Sequence, residues 1–412
     1  VTDGIVIIGA GEAGVRTALG LRSTNASIPI TLIGEEPVEP YERPPLSKTV
    51  LENKEECGTP PIISSFETLV EKNISFVHGS IVKRINRIKR QVMLDDGVWI
   101  PYLKLVIATG ARPRRLSIEG EEHFFYLRTF ADAQSLYQRL RRDSEILVIG
   151  GGLIGLELAA CARGKGCQVT VIEAAPILLS RVAPACVADY IRARHKTAGT
   201  KIIMGTQVRS ADMKAGKTHV ALSDGTTIVA DTVICGIGAY PNESLAEASG
   251  LDVNDGIIVD AQLKTSDPDI YAIGDCAKFP QSRLNGIPQR LESWRNAYKH
   301  AEFLAENLFA PNASFSDIPW FWSDQYNISM HGAGYLDLAE EIVIRKLEDQ
   351  AVVAFGIDSD GALVSVTGVG LGNSIAKDIR IAEQLINVRA KLSHKLLADV
   401  DVSLRHLLRS VV

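Results

Sequence analysis

A chain of 412 residues has room for roughly two to four domains, each with its own core, which excludes a miniprotein held together by disulfides. With 44 Lys and Arg against 49 Asp and Glu its formal charge is −5, so no global basic field exists to hold nucleic acid or an anionic membrane. At 46% hydrophobic and 23% charged residues the composition is that of a folded globular protein rather than a disordered one.

Residues 5–8 are all β-branched, read as a strand buried on both faces, and run into Gly9-Ala10-Gly11-Glu12-Ala13-Gly14. Residues 15–22 suit a helix and 30–33 a second strand, followed by Glu35. The same device recurs further along. Residues 146–149 run into Gly150-Gly151-Gly152-Leu153-Ile154-Gly155, residues 156–164 suit a helix, and 168–172 suit a strand that ends at Glu173. In such a βαβ unit the first glycine makes the turn, the second lets backbone approach a pyrophosphate, and the third lets helix meet strand. The acid, here 26 and 23 residues beyond the first glycine, accepts from ribose hydroxyls. One glycine turn often serves packing alone. Two with matching flanks point to two bound dinucleotides.

The exits of the two units echo one another as well. Leu105-Val106-Ile107-Ala108-Thr109-Gly110-Ala111-Arg112-Pro113 has its counterpart in Val233-Ile234-Cys235-Gly236-Ile237-Gly238-Ala239-Tyr240-Pro241. Each is a buried strand followed by small residues that let backbone pass close to a cofactor, which makes Ala108, Thr109, Gly110 and Gly238 candidate contacts. Residues 256–260 and 265–275 then read as a strand, a turn and a further buried strand ending in Asp275, and residues 294–309 carry helical spacing. From Pro319 the texture changes. Residues 341–347, 351–357 and 362–366 read as antiparallel strands with an Asp360-Gly361 turn, and 375–386 as a closing helix. The glycine-rich Gly368-Val369-Gly370-Leu371-Gly372-Asn373 reads as a loop. The fold class expected is therefore α/β: two Rossmann-like dinucleotide-binding domains plus a C-terminal α+β domain.

Six cysteines, at 57, 161, 167, 186, 235 and 276, make neither a Cys-x-x-Cys pair nor a zinc spacing with histidine, so no metal site is expected and a reducing compartment is. Residues 146–162 form the longest apolar run; its glycines and Glu157 leave it short of a membrane span. Residues 1–8 lead straight into a strand pattern without a charged segment and apolar core, and a cytoplasmic location is the expectation.

These motifs carry a resemblance. The paired turns, the Ala108-Thr109-Gly110 exit and residues 265–275 resemble the two-dinucleotide flavoprotein reductases related to glutathione reductase. Within that group, Pro40-Tyr41-Glu42-Arg43-Pro44-Pro45-Leu46-Ser47-Lys48, the 150–157 block and Pro319-Trp320-Phe321-Trp322-Ser323-Asp324-Gln325 resemble the NADH-dependent ferredoxin reductases of bacterial oxygenase and cytochrome P450 systems. The resemblance implies FAD in a discontinuous domain, residues 1–112 and 244–318, NADH in residues 113–243, and a C-terminal domain in 319–412. It implies that Gly9, Gly11, Ala13 and Gly14 hold the FAD pyrophosphate and Glu35 its adenosine ribose. Arg43, Lys48, Val82, Arg128, Asp275 and Trp294 match further FAD-contacting positions, and Trp320 and Trp322 join Trp294 at the flavin's other face. Gly150, Gly152, Leu153, Ile154 and Gly155 would cradle the NADH pyrophosphate.

Electrostatics agrees on the nicotinamide. Glu173, followed by Ala174 and Ala175, would repel a 2′-phosphate and accept from a free 2′-hydroxyl, so NADH is expected over NADPH. By the resemblance Lys48 and Glu157 pair beside the flavin as electrostatic support for hydride transfer. A disulfide reductase of this architecture needs a Cys-x4-Cys pair after its first βαβ unit; residues 41–50 contain no cysteine, so electrons are expected to leave the flavin directly, and the resemblance implies a [2Fe-2S] ferredoxin as their acceptor. Arg290, Arg295, Lys299 and His300 form a locally basic stretch that suits either the steering of an acidic ferredoxin or a solvated helix face. The competing readings are a rubredoxin reductase, an NADH oxidase, and a redox-sensing interaction protein of the apoptosis-inducing-factor type.

Overall fold

The computed structural model describes residues 4–25, 27–53, 55–284, 286–309 and 313–411; the opening residues 1–3 of the first expected run lie outside them. The chain divides into two compact units. The first comprises Val1–Arg43, Pro60–Arg112 and Ala239–Asp317, the second Pro44–Thr59, Pro113–Gly238 and Ile318–Val412.

In the first unit Gly4–Ile8 lies between two parallel neighbours, Ile30–Gly34 and Trp99–Ile107, with Ile7 opposite Leu32 on one side and Val106 on the other. Ile74–His78 extends the sheet beyond Ile30–Gly34, and Ile270–Ala272 pairs in parallel with Trp99–Ile107. Every residue of Gly4–Ile8 is buried, which is why the sequence there is an unbroken apolar run rather than an alternating one. Helix Glu12–Thr24 packs on helix Trp294–Asn307 so closely that a methyl group on Gly20 would stand 2.6 Å from the Ala305 Cβ. The two helices therefore meet through small residues.

Among the described residues, the cores of the second unit include two that surround or underlie sheets. One surrounds a parallel sheet in the order Lys201–Met204, Gln168–Glu173, Glu145–Ile149, Thr232–Cys235, Phe124–Phe125, with the three-stranded antiparallel sheet of Val208–Lys214, Lys217–Leu222 and Thr227–Ala230. The other lies under an antiparallel sheet in the order Trp320–Gln325, Ile328–Gly334, Leu363–Leu371, Val352–Ile357, Glu341–Lys346. Its expected Asp360-Gly361 turn is present: Gly361 has φ +77° and its N–H donates to the Asp358 carbonyl (2.9 Å).

The glycine-rich stretch expected as a loop is instead strand as far as Leu371. Its glycines are required by packing. A methyl group on Gly368 would meet the Ile379 Cδ1 at 3.2 Å, and one on Gly370 would meet the Ala351 Cβ at 2.9 Å and the Ser374 Oγ at 2.4 Å. Helix Ala376–Asn387 can close over the sheet only where side chains are absent. Among the described residues no helix is long and apolar enough to cross a membrane.

Candidate functional site

In the first unit the chain leaves strand Gly4–Ile8 at Gly9, whose φ of +109° excludes an ordinary side chain. The Gly9 N–H donates to the Ile33 carbonyl and the Ala108 N–H to the Ile8 carbonyl, both at 2.8 Å, locking turn and exit together. A methyl group on Gly9 would stand 2.1 Å from the Ala108 carbonyl oxygen, and one on Gly14 1.9 Å from the Gly9 carbonyl oxygen. Gly11 differs: it caps the helix, and nothing lies within 4 Å of where its Cβ would project.

The second unit repeats this arrangement of turn, exit and helix. Gly150 has φ +109°, its N–H donates to the Ile172 carbonyl, and the Gly236 N–H donates to the Ile149 carbonyl, again at 2.8 Å. Gly155 abuts the Gly150 carbonyl, and Gly152 caps helix Leu153–Gly164 with nothing within 4 Å of its Cβ position. In each turn the first and last glycines make contact and a middle one, Gly11 or Gly152, keeps space clear in front of helix N–H groups with no intrahelical partner; the second turn adds Gly151, whose Cβ would stand 2.4 Å from the Leu178 Cδ2. That cleared space at the positive end of a helix dipole fits a dinucleotide pyrophosphate. Glu173 is half-buried and held by backbone, Oε2 accepting from the Gly151 N–H (2.6 Å) and Oε1 from the Ala175 N–H (2.7 Å). Arg181 lies at Gly238, its Nη2 3.4 Å from that glycine's Cβ position.

The remaining candidates in the first unit are arranged as follows. Glu35 is exposed just beyond Ile30–Gly34. Arg43 donates to Glu36 Oε1 (2.7 Å) and to the Tyr41 hydroxyl (3.2 Å), which itself donates to Glu36 Oε2 (2.5 Å). The Val82 side chain is buried in the core. The Thr109 hydroxyl donates to the Asn242 carbonyl and the Asn242 amide to the Thr109 carbonyl, both at 2.8 Å, fixing the exit before Gly110. Asp275 lies half-buried in the turn Gly274–Cys276, and the Trp294 ring stacks on Tyr298 at 5.5 Å.

Lys48, Arg128 and Trp322 belong to the second unit together with the Gly150 turn. The Lys48 ammonium meets Glu157 Oε1 at 2.9 Å, with the side chains 14% and 2% exposed. Glu157 Oε1 also accepts from the Ser323 hydroxyl (2.6 Å), and Oε2 accepts from Ser47. Burial drives the Glu157 pKa up, against Lys48 and the two serines. The Trp322 ring stacks on Trp320 at 5.4 Å and faces the Lys48 ammonium at 5.8 Å. The Arg128 N–H helps cap helix Phe130–Tyr137 by donating to Asp132 Oδ2 (3.0 Å).

The basic stretch on helix Trp294–Asn307 needs correction. His300 is fully buried between Phe279 and Phe315, and its Nδ1 accepts from the Gly274 N–H (3.0 Å). Arg290 pairs with Glu292 and Asp255, Arg295 with Asp317, and Lys299 with Glu302, so each cation of the stretch faces a carboxylate of its own unit. Helical spacing alone did not reveal which face the histidine takes.

Sequence reasoning missed Ser47 and Ser323 as partners of the ion pair, and Gln325, His195 and Tyr326 behind them. One signal was present. Val187, Ala188, Ile191 and His195 share one buried helical face, a core position occupied by a polar ring. All six cysteines are unbonded; burial pushes the Cys161 thiol up to about 12 and the Cys167 and Cys235 thiols to about 11, so none of these three is primed as a thiolate.

The profile of the pyridine nucleotide-disulphide oxidoreductase family matches residues 3–301, and a reductase C-terminal profile matches 320–408. The chain belongs to the pyridine nucleotide-disulphide oxidoreductase family. It is 38% identical over 406 residues to the ferredoxin–NAD(+) reductase component of an anthranilate 1,2-dioxygenase system from Burkholderia cepacia, covering 98% of both chains. It is 39% identical over 344 residues to a rubredoxin–NAD(+) reductase from Pseudomonas putida, covering 82% of this chain and 89% of the relative. Among solved structures, the reductase of a covalent putidaredoxin reductase–putidaredoxin complex superposes with a TM-score of 0.93 at 36% identity, covering 100% of this chain and 99% of that one.

Proposed function

We propose that this chain is an FAD-dependent NADH:ferredoxin oxidoreductase that passes single electrons to a small [2Fe-2S] ferredoxin serving an oxygenase or cytochrome P450. The observation that carries the reading is the buried Lys48–Glu157 pair, set in the same unit as a nucleotide cradle and with no thiol pair in residues 41–50. When bound, FAD takes up a hydride as a pair and releases the electrons one at a time.

The protein's own residues bind, orient and hold charge. Gly9, Gly11, Ala13 and Gly14 would hold the FAD pyrophosphate, with Glu35, Arg43, Val82, Ala108, Thr109, Gly110, Asp275 and Trp294 of the same unit as further contacts. Gly150, Gly152, Leu153, Ile154, Gly155 and Gly238 hold NADH. Glu173, anchored by two backbone N–H groups, keeps a fixed negative charge that accepts from a ribose hydroxyl and repels a 2′-phosphate. Lys48, tethered by Glu157, supplies a fixed ammonium where negative charge develops, and that role needs no proton transfer. The FAD-binding part is assigned to residues 1–112 and 244–318, the NADH-binding part to 113–243, and the C-terminal domain to 319–412. A cytoplasmic location, supported by six unbonded cysteines, completes the reading.

The test is anaerobic stopped-flow mixing of the FAD-loaded protein with NADH or NADPH, followed by a [2Fe-2S] ferredoxin. Rapid bleaching by NADH and reoxidation by the ferredoxin are expected; slow reoxidation by every carrier would favour a sensor instead. The likeness to a rubredoxin reductase supports a second acceptor class, so a rubredoxin belongs in the same titration.

A further inference from the structure

Behind the Lys48–Glu157 pair, within the second unit, runs a row of buried polar side chains that packing alone does not require. Ser323 and Gln325 lie two apart on strand Trp320–Gln325 and so share a face; they are 1% and 2% exposed. His195, on helix Ala185–Thr197, is wholly buried. Gln325 Nε2 donates to the Ser323 Oγ (3.1 Å), and Gln325 Oε1 lies 2.8 Å from His195 Nε2. His195 Nδ1 lies 3.1 Å from the Tyr326 hydroxyl, which also lies 3.2 Å from the Thr200 hydroxyl.

The direction of every hydrogen follows from Glu157. A carboxylate only accepts, so Ser323 must spend its hydrogen on Glu157 Oε1. Ser323 must then accept from the Gln325 NH2, which turns the Gln325 carbonyl oxygen to His195. His195 Nε2 must carry a hydrogen, and in the neutral ring that burial favours, Nδ1 is left to accept from Tyr326. Flipping the Gln325 amide would take the Ser323 hydrogen for Gln325 and strip the buried carboxylate of that donor. The row therefore points one way, and aligned dipoles in a dry interior reinforce one another. Tyr326 holds its end of the row from a left-handed turn (φ +56°), with the Arg194 guanidinium over its ring at 4.7 Å.

We propose that Ser323, Gln325, His195 and Tyr326 are positioning residues: a one-way hydrogen-bond chain, with His195 as the neutral Nε2–H tautomer, that keeps Glu157 a carboxylate and so locks the Lys48 ammonium in place. The inference rests on the reductase reading above and deepens it. The titratable groups acting on Glu157 are Lys48 and Glu52 on the 44–52 segment; Asp324 on the strand acts on Glu52, and His195 lies behind the strand with the charge of Arg194 beside it. Burial opposes a charge on Glu157 and lowers the affinity of His195 for a proton, so the neutral ring is the form that fits.

The test uses the full chain. The Glu157 carboxyl is followed through its protonation by isotope-edited infrared spectroscopy, assigned with Glu157→Gln, and the His195 tautomer by 15N NMR. Ser323→Ala and Gln325→Leu are expected to raise the Glu157 midpoint by about one pH unit, a tenfold change in its ionisation constant. They are expected to slow NADH-driven flavin reduction about tenfold at unchanged NADH Kd, with Ser323→Thr restoring both readouts because it restores the hydroxyl. An unmoved midpoint, a moved midpoint without loss of rate, or an Nδ1–H tautomer of His195 would overturn the proposal. A protein that bound no flavin would instead sink the reductase reading, while the infrared and NMR results would still decide whether the chain exists.

Discussion

Lys48 and Glu157 meet at 2.9 Å inside one compact unit, although the chain leaves that unit at Thr59 and returns to it at Pro113 between them. A pair assembled across such an excursion, and almost wholly removed from water, is electrostatically committed. Each charge is tolerated only because the other is present.

Replacing Lys48 by Met is accordingly expected to slow hydride uptake by about tenfold to a hundredfold, roughly 1.4–2.7 kcal/mol of lost support, with NADH Kd little changed. The same change strands a buried carboxylate, at a cost to stability of about 3–5 kcal/mol unless Glu157 takes up a proton. Lys48→Met combined with Glu157→Leu is expected to regain most of the stability but none of the rate. Urea unfolding and stopped-flow kinetics on the same samples read the two effects separately. An unchanged rate in Lys48→Met would refute the role given to the lysine.

The two kinds of glycine in each turn make opposite predictions. A methyl group on Gly14 meets the Gly9 carbonyl oxygen at 1.9 Å, so Gly14→Ala is expected to destabilise the first unit by about 1–3 kcal/mol or more. Gly11→Ala and Gly152→Ala meet nothing and are expected to fold normally. Gly11→Ala should lose affinity for FAD; Gly152→Ala should keep FAD and raise the NADH Kd about tenfold or more, 1.4 kcal/mol. Melting temperatures with calorimetric titration of each nucleotide check this. A Gly152→Ala protein binding NADH as tightly as the parent would remove the pyrophosphate from that turn.

Glu173 should decide the choice between nicotinamides. Glu173→Ser removes the charge and both of its backbone anchors, and the preference for NADH over NADPH, measured as the ratio of kcat/KM values, is expected to fall at least tenfold, about 1.4 kcal/mol. A ratio that did not move would mean that specificity lies elsewhere.

Two buried histidines should make the protein sensitive to acid. Burial pushes the His300 pKa down to about 3 and lowers that of His195. Both stay neutral in the folded chain while the unfolded chain protonates them near pH 6.5, so the unfolded state binds more protons below that pH and stability falls as pH falls. Each contributes a slope of up to about 1.4 kcal/mol per pH unit, starting near 6.5 and, for His300, ending near 3. His300→Asn keeps an acceptor for the Gly274 N–H and is expected to flatten the decline between pH 6.5 and 5, measured by urea unfolding. An unchanged slope would contradict the burial argument.

What the sequence revealed follows from which constraints are local. The glycine turns were legible because their requirements, a left-handed first residue, an open second and a touching third, fall within six consecutive positions. Gly368 and Gly370 misled because the same residue type serves a different end there, letting a helix settle on a strand, and the partners Ile379 and Ala351 are not neighbours in sequence. His300 was misplaced because a single residue step, about 100° of rotation, separates the Lys299-bearing face of the helix from its core face. The Ser323–Gln325–His195 row was unreadable for a stronger reason. Its members gain meaning only from Glu157, on another helix, and no spacing rule connects the two.

The most direct measurement is an anaerobic titration that counts electrons taken up per flavin. The account predicts that one equivalent of NADH bleaches the flavin completely, that alkylating the accessible thiols changes nothing, and that a [2Fe-2S] ferredoxin then withdraws the electrons. A second equivalent consumed by the protein before the flavin is fully reduced would reveal a hidden thiol relay and contradict it.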